Sequence, residues 1–367
     1  MNEVLVKAPR LASLDILRGL TIAAMITVND PGIETRTYAP LQHSKWNGIT
    51  PTDFVFPFFL FMVGVSITLS YSRQLGGQAP KGRMVGKIIR RAVILIALGI
   101  FLSVFPHFDF ANYRIPGVLQ RIGIVYLVCA PLFLYTGWKF QAWLGAAILI
   151  GYCMVMTLVP VPGYGYPILE PGKNLAAWLD AIVIPGRMWQ GTWDPEGILS
   201  TFPAFVTGIS GMLAGRLVIG PLTPERKIIW LFTAGFLSFA LANGWHWFFP
   251  INKNLWTSSF VLYTSGLACM MLALLYFVVD VLGRKKWSLF ARIYGSNAIA
   301  AYLAAEVLSD LLDWEWGGGS IHDWTIKELL LTGISPELLS FVWALAFCAL
   351  CFIPIYVLYR KKIFLKI

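Results

Sequence analysis

Long apolar runs alternate with short polar turns from one end of this chain to the other. Crossing a hydrocarbon core takes about 20 mostly apolar residues in a helix. That ruler predicts ten spans, at approximately 14–30, 54–72, 88–105, 116–135, 142–160, 197–218, 227–246, 256–282, 295–312 and 339–359. Helices are expected because an open sheet leaves backbone groups unpaired in lipid. No repeat with a period of 20 to 50 residues is visible. The predicted fold is an all-α polytopic membrane protein, a single transmembrane domain over 1–367 with a longer polar segment at about 160–197 that is rich in Gly, Pro and Trp.

Composition agrees with that solvent. Hydrophobic residues make up 57% and charged residues 13% of 367 positions, against roughly 25% charged in a soluble domain. The basic residues then give an orientation. With the amino terminus in the cytoplasm, Lys7 and Arg10, the cluster Arg73 to Arg91, Lys139, Arg216 to Lys227, Arg284 to Arg292 and the tail Arg360 to Lys366 fall on one side, as the positive-inside rule expects. The opposite loops hold most of the acids, including Glu34, Asp53, Glu170, Asp194, Glu196 and the run from Asp313 to Glu337. Both termini are therefore expected in the cytoplasm and the first polar loop outside. The net charge of +10 is an orientation signal; nucleic-acid binding would need a basic soluble face with aromatic platforms, which this pattern excludes.

The first apolar run carries Asp15 and Arg18 and lacks a small-residue cleavage site, so it is expected to be retained and not cleaved as a signal peptide. All five cysteines fall inside apolar spans, where free cysteine behaves as a small hydrophobe. Cys348 and Cys351 form a CxxC spacing with no second pair and no nearby histidine, so neither a disulfide framework nor a metal site is expected.

The most chemical stretch is the first polar loop, His43-Ser44-Lys45-Trp46-Asn47-Gly48-Ile49 followed by Thr50-Pro51-Thr52-Asp53. An imidazole exchanges protons near neutrality, and Asp53 stands ten residues on, able to orient it. His107, His246 and His322 map to span ends or loops without metal-ligand spacing, and read as interfacial histidines. Charges inside spans cost roughly 2.5 to 3.5 kcal/mol on insertion scales, so Asp15, Arg18, Arg121, Glu306 and Asp310 need partners or a task. Asp15 and Arg18 share a helix face and form either a structural ion pair or part of a site. Arg114 and Arg121, seven apart, share a face of a helix starting near Pro116, which points to a polar cavity or to snorkelling of Arg114. Asp194-Pro195 reads either as a helix start with Pro at the first helical position or, with Glu196, as an acceptor contact. Gly208, Gly211 and Gly215 most simply permit close helix packing.

Several of these stretches resemble one known family. Ser13-Leu14-Asp15-Ile16-Leu17-Arg18-Gly19, Val28-Asn29, His43 to Gly48 with Thr50 to Pro57, Arg114 to Gly123, Asp194-Pro195-Glu196-Gly197 and Gly295-Ser296-Asn297-Ala298 are, in order, similar to the heparan-α-glucosaminide N-acetyltransferase family of transmembrane acyltransferases. The likeness covers nearly the whole chain and is to the bacterial branch sometimes labelled amino-sugar-related transporters. It implies acetyl transfer from cytoplasmic acetyl-CoA, a co-substrate, to an amino sugar or glycan across a bacterial inner membrane, without a metal.

The resemblance makes His43, in H-x-x-W-N-G, the catalytic residue and Asn29 its neighbour in the active site; the amide of Asn29 could donate to the oxyanion of a thioester carbonyl. Asp53 completes the catalytic set. Arg18, Arg114, Arg121 and Asn297 are candidates for lining the route of coenzyme A, and Trp46, Asn47 and Glu196 for touching the acceptor. The phosphates of coenzyme A need cations, from Lys81, Arg83, Lys87, Arg90 and Arg91 or from Arg284 to Lys286. Trp46 stacks on a sugar or simply belts the interface. Residues 30–42 are longer than the corresponding tract of the animal enzymes, which points to an acceptor other than glucosamine-ended heparan. Related enzymes suggest a homodimer. Two rival readings stay open, an amino-sugar transporter, which would normally show repeats with a midplane site, and an O-acyltransferase acting on a cell-surface glycan.

Overall fold

The computed structural model describes residues 11–77, 80–110, 112–315 and 317–365. Lys7, Arg10, Lys366 and both chain ends lie outside the described residues, and with them the expected placement of the termini. The described chain is helical, with no strand beyond one isolated bridge between Glu315 and Ser320. Its helices are α1 (Ala12–Asn29), α2 (Val55–Gly76), α3 (Lys81–Val104), α4 (Val118–Tyr135), α5 (Trp138–Leu158), α6 (Leu175–Val183), α7 (Ile198–Ile219), α8 (Pro224–His246), α9 (Ser258–Leu275), α10 (Leu289–Ser296), α11 (Ala298–Asp313), α12 (Ile321–Leu330) and α13 (Pro336–Arg360).

Among the described residues, eight of these helices are long and apolar enough to cross a membrane: α1, α2, α4, α5, α7, α8, α9 and α13. The other two predicted spans fall on α3 and on α10–α11. Helix α3 carries five cations in its first eleven residues, leaving Ala92–Val104 as its uncharged stretch. Helices α10 and α11 are separate because Asn297 leaves the helical conformation between them, and α11 alone has 16 residues.

Helices α2 and α7 are the most enclosed of the eight, whereas α5 and α8 turn most of their apolar side chains outward, as lipid-facing helices do. The α2–α7 crossing explains the glycines of α7: a Cβ at Gly211 would overlap the Phe61 carbonyl, and one at Gly215 would press on Thr68. Small residues let two backbones approach closely where no larger side chain fits. Helix α1 lies against α2, α10 and α13, and its first free N–H groups, Ala12 and Ser13, donate to the Asp280 carboxylate at 3.1 and 3.0 Å. With 18 residues at 1.5 Å each, α1 separates two polar regions by about 27 Å.

Candidate functional site

The loop after α1 folds back over the bundle and ends in a tight turn, Pro51–Phe54, that leads into α2. Thr50 and Asp53 cap that turn reciprocally, so Asp53 is fixed by local sequence before any long-range contact is made. Its side chain is wholly buried. One oxygen, Oδ2, accepts from the Ser44 N–H at 3.2 Å, the Thr50 N–H at 3.0 Å and the Thr50 hydroxyl at 3.1 Å. The other, Oδ1, lies 2.7 Å from His43 Nδ1. A carboxylate only accepts, so Nδ1 carries the proton and Nε2 holds the free lone pair. The His43 side chain is half exposed, 50% against 0% for Asp53, which leaves Nε2 open to a reactant.

A residue that the sequence did not single out completes this group. Lys253 Nζ lies 2.9 Å from His43 Nδ1, 3.2 Å from Nε2 and 3.6 Å from Asp53 Oδ1. Its loop, between α8 and α9, is tied to the histidine loop by Gly48 N–H donating to the Ile251 carbonyl at 2.8 Å and by Asn252 Nδ2 donating to Asn47 Oδ1 at 3.1 Å. Burial pushes the Lys253 ammonium below its ordinary basicity, against the opposing pull of Asp53. The signal in the sequence was a lysine on the side that positive-inside topology leaves poor in cations.

Trp46 donates its indole N–H to the Leu169 carbonyl at 2.9 Å and meets Trp193 edge-on, with ring centroids 5.2 Å apart. Together with Asn47 on Asn252, this ties the H-x-x-W-N-G loop to the 160–197 segment and to the Lys253 loop. Asn29 is exposed at the end of α1, and its side chain has no hydrogen bond among the described residues. A cleft of about 250 Å³ opens beside it, lined by Thr27 and Val28 on one wall and Pro40, Leu41, Pro51 and Thr52 on the other. Neither Asn29 nor His43 is among the residues that line it.

Arg114 forms a bidentate pair with Asp194, at 2.7 and 2.6 Å, and also holds Glu196. Burial alone would lower the Arg114 guanidinium, but the two carboxylates outweigh it and raise it; burial would likewise raise Asp194, and Arg114 holds it below its usual range instead. Because α4 begins at Val118, Arg114 lies before the helix and the two arginines do not share a helical face; Arg121, within α4, is 1% exposed and reaches the Gly197 carbonyl at 3.2 Å and the Ser200 hydroxyl, with its guanidinium 5.1 Å over the Trp256 ring. The two arginines thus grip one segment, 194–200. Helix α7 begins at Ile198 and not at Pro195: the Ile198 N–H donates to Asp180 at 2.8 Å, so α6 caps α7 across space. On α11, Glu306 takes a hydrogen bond from Tyr302 one turn earlier.

At the opposite end of α1, Arg18 pairs with Asp15 at 3.5 Å and also donates to the Gly295 carbonyl at 3.3 Å and the Ser66 hydroxyl at 2.9 Å. Beside it opens a cavity of about 570 Å³ lined by Ala12, Asp15, Lys285, Arg292, Tyr359, Arg360, Lys362 and Phe364. Asn297 shapes its rim, because its amide donates to the Ile363 carbonyl at 3.0 Å and accepts from the Leu365 N–H at 2.9 Å. Of the basic groups expected to meet phosphate, Lys285 lines this cavity, while Lys81 and Arg91 lie over the rings of Tyr135 and Tyr126. The other histidines serve packing: His246 Nδ1 accepts from the Ile251 N–H, His107 lies against Trp314, and His322 bridges Asp313 and the Gly32 carbonyl. No group of three or more potential metal ligands occurs among the described residues.

The family model described as the catalytic part of heparan-alpha-glucosaminide N-acetyltransferase matches residues 10–221, from the start of α1 to the end of α7. The chain belongs to this family. Over 98% of its length it is 33% identical to the Homo sapiens heparan-alpha-glucosaminide N-acetyltransferase and 31% identical to that of Mus musculus, across 60% and 61% of those proteins. It therefore spans about 60% of the length of the curated relatives it matches. The family match encloses His43, Asp53, Arg114, Arg121, Asp194 and Glu196, and the longer alignments, over 98% of the chain, take in Lys253 as well.

Proposed function

We propose that this protein is a multi-pass membrane acetyltransferase that carries an acetyl group from cytoplasmic acetyl-CoA to the amine of an amino sugar or glycan on the outer side. The observation that carries this reading is the His43–Asp53 pair: a buried carboxylate lies 2.7 Å from Nδ1 of a half-exposed ring and leaves Nε2 to act as the base. His43 Nε2 removes a proton from the acceptor amine as its nitrogen attacks the thioester carbonyl. Asn29 donates to the oxygen that becomes negative. When the C–S bond breaks, His43 returns the proton to the departing thiolate. This ternary route is preferred to an acetylated histidine, because a base oriented by a third group needs no covalent intermediate.

The basic cavity at the far end of α1 supports the donor's side. Lys285, Arg292, Arg360 and Lys362 present guanidinium and ammonium groups that suit phosphate oxygens as charge-assisted donors, and Arg18 and Asn297 stand along the way inward. The relatives are named for a glucosamine acceptor. Here residues 32–38 run across to α12 and α13, through Gly32 and Ile33 to Ser340 and Tyr38 to Phe341, so the wall of the acceptor side is built from this chain's own long tract. A bacterial amino sugar or cell-wall fragment suits that wall better than heparan.

Purified protein given radiolabelled acetyl-CoA and a panel of amino sugars tests the reading, with His43→Ala as control. Label on amines that His43→Ala abolishes supports it. Sugar flux without labelling would establish a transporter, and labelling confined to sugars without a free amine would establish an O-acyltransferase.

A further inference from the structure

The seat of Lys253 has a chemical consequence. An atom about 3 Å from both ring nitrogens of His43 must lie over the face of the imidazole, because in the ring plane it would overlap the carbon between them. Lys253 therefore does not consume the Nε2 lone pair, which points outward in that plane. Nor is its charge fully matched. Asp53, its nearest carboxylate at 3.6 Å, already accepts from His43, Ser44 and both donors of Thr50. Glu196 lies farther off and is held by Arg114. Only 17% of the Lys253 side chain is exposed, and a cation screened from water acts strongly on charge that develops beside it.

We infer that Lys253 is a further catalytic residue of this centre, supplying, beside Asn29, the positive charge that faces the oxygen of the reacting acyl group. The inference rests on the transferase reading above. A nucleophile hydrogen-bonded to Nε2 and the carbonyl it attacks fall within reach of an ammonium that is itself 3.2 Å from Nε2. As the C–N bond forms, the carbonyl π pair moves onto oxygen beside Lys253, and Nε2 takes the amine proton. As the C–S bond breaks, that pair returns to carbon and the thiolate takes the proton from Nε2. Lys253 keeps its own protons throughout and acts by charge and hydrogen bonding. The class of ligand it meets is an acyl thioester at its transition state, and the clamp formed by Asn252–Asn47 and Gly48–Ile251 holds the ammonium there before substrate arrives.

The test uses the full chain in lipid nanodiscs, with acetyl-CoA as donor and an amino sugar that the unaltered protein acetylates. Lys253→Met is expected to lower kcat by about 100- to 1,000-fold, the cost of losing one such donor. The KM for acetyl-CoA should change less than about threefold, since the ground-state carbonyl gains little from the cation. Lys253→Arg, which keeps the charge, is expected to recover at least tenfold of the lost kcat, and binding of a ketone analogue of acetyl-CoA in which CH2 replaces sulfur should be the same in all three proteins. If Lys253→Met keeps its kcat, or Lys253→Arg is no better than Lys253→Met, the assignment to Lys253 is wrong and the transferase reading stands. If the unaltered protein acetylates no amine at all, both fall.

Discussion

Replacing Asp53 by asparagine tests the catalytic geometry with the least change of shape. The turn depends on Oδ2, which receives three hydrogen bonds from Ser44 and Thr50. Only an oxygen can take that place, so the amide nitrogen that Asp53→Asn introduces must occupy the site of Oδ1 and face His43 Nδ1. An NH2 group donates, so Nδ1 becomes the acceptor, the proton moves to Nε2, and the base is lost in a turn that remains folded. Losing a hydrogen bond to a charged acceptor costs about 1.5 to 3 kcal/mol, or roughly 10- to 150-fold at 1.36 kcal/mol per decade. The inverted tautomer raises the loss further; in the Ser-His-Asp triad the same Asp→Asn change costs about 10⁴ in kcat in all. A fall in kcat of roughly 10³ to 10⁴ is therefore expected, with the thermal unfolding midpoint close to that of the unaltered chain. Steady-state transfer of radiolabel at saturating donor, with melting followed in the same detergent, measures both. An Asp53→Asn protein that keeps more than a tenth of the activity would refute the claim that Asp53 sets the working tautomer.

Two further predictions concern other parts of the molecule. Burial pushes the Asp180 carboxyl up to about 6, against the opposing Ile198 N–H; since the folded form holds the proton more tightly than an unfolded carboxyl near 3.9, stability falls as pH rises from about 4 to 6 and stays reduced above that. Asp180→Asn keeps an acceptor for Ile198, so its melting midpoint should exceed that of the unaltered chain by a few degrees at pH 7.5 and by less at pH 5; equal midpoints at both values would show that the buried charge is not costly. At the basic cavity, the double change Arg292→Ala with Lys362→Ala should raise the KM for acetyl-CoA several-fold more than the KM for the acceptor and weaken its dependence on salt; an unchanged KM for acetyl-CoA would place the phosphates elsewhere.

What could be read in the sequence was what short-range rules control. Apolar length located the long helices, because a helix pairs its own backbone groups in lipid, and the His43–Asp53 spacing anticipated the carboxylate beside His43 because both belong to one loop. Gly211 and Gly215 announced close packing, although only the fold shows that Phe61 and Thr68 on α2 are what a side chain would strike. Two spans were less plain because α3 carries five cations in its first eleven residues and because α11, on which the ninth predicted span falls, has only 16 residues.

The rest depends on contacts between residues far apart in sequence, which no spacing records. Lys253 lies 210 positions from His43, and Asp180 caps α7 from 18 residues upstream. The arginines show why a charge alone is ambiguous. Arg114 is satisfied by two carboxylates, whereas Arg121, wholly buried, has Nε and Nη1 without hydrogen-bond partners among the described residues. An unpaired buried donor costs about 1 to 3 kcal/mol, more when charged, so the segment 194–200 that both arginines hold must be worth that cost. It begins α7, which packs on the helix that Asp53 starts. A fixed position for α7 therefore fixes α2, and through the turn at its head the carboxylate that orients His43.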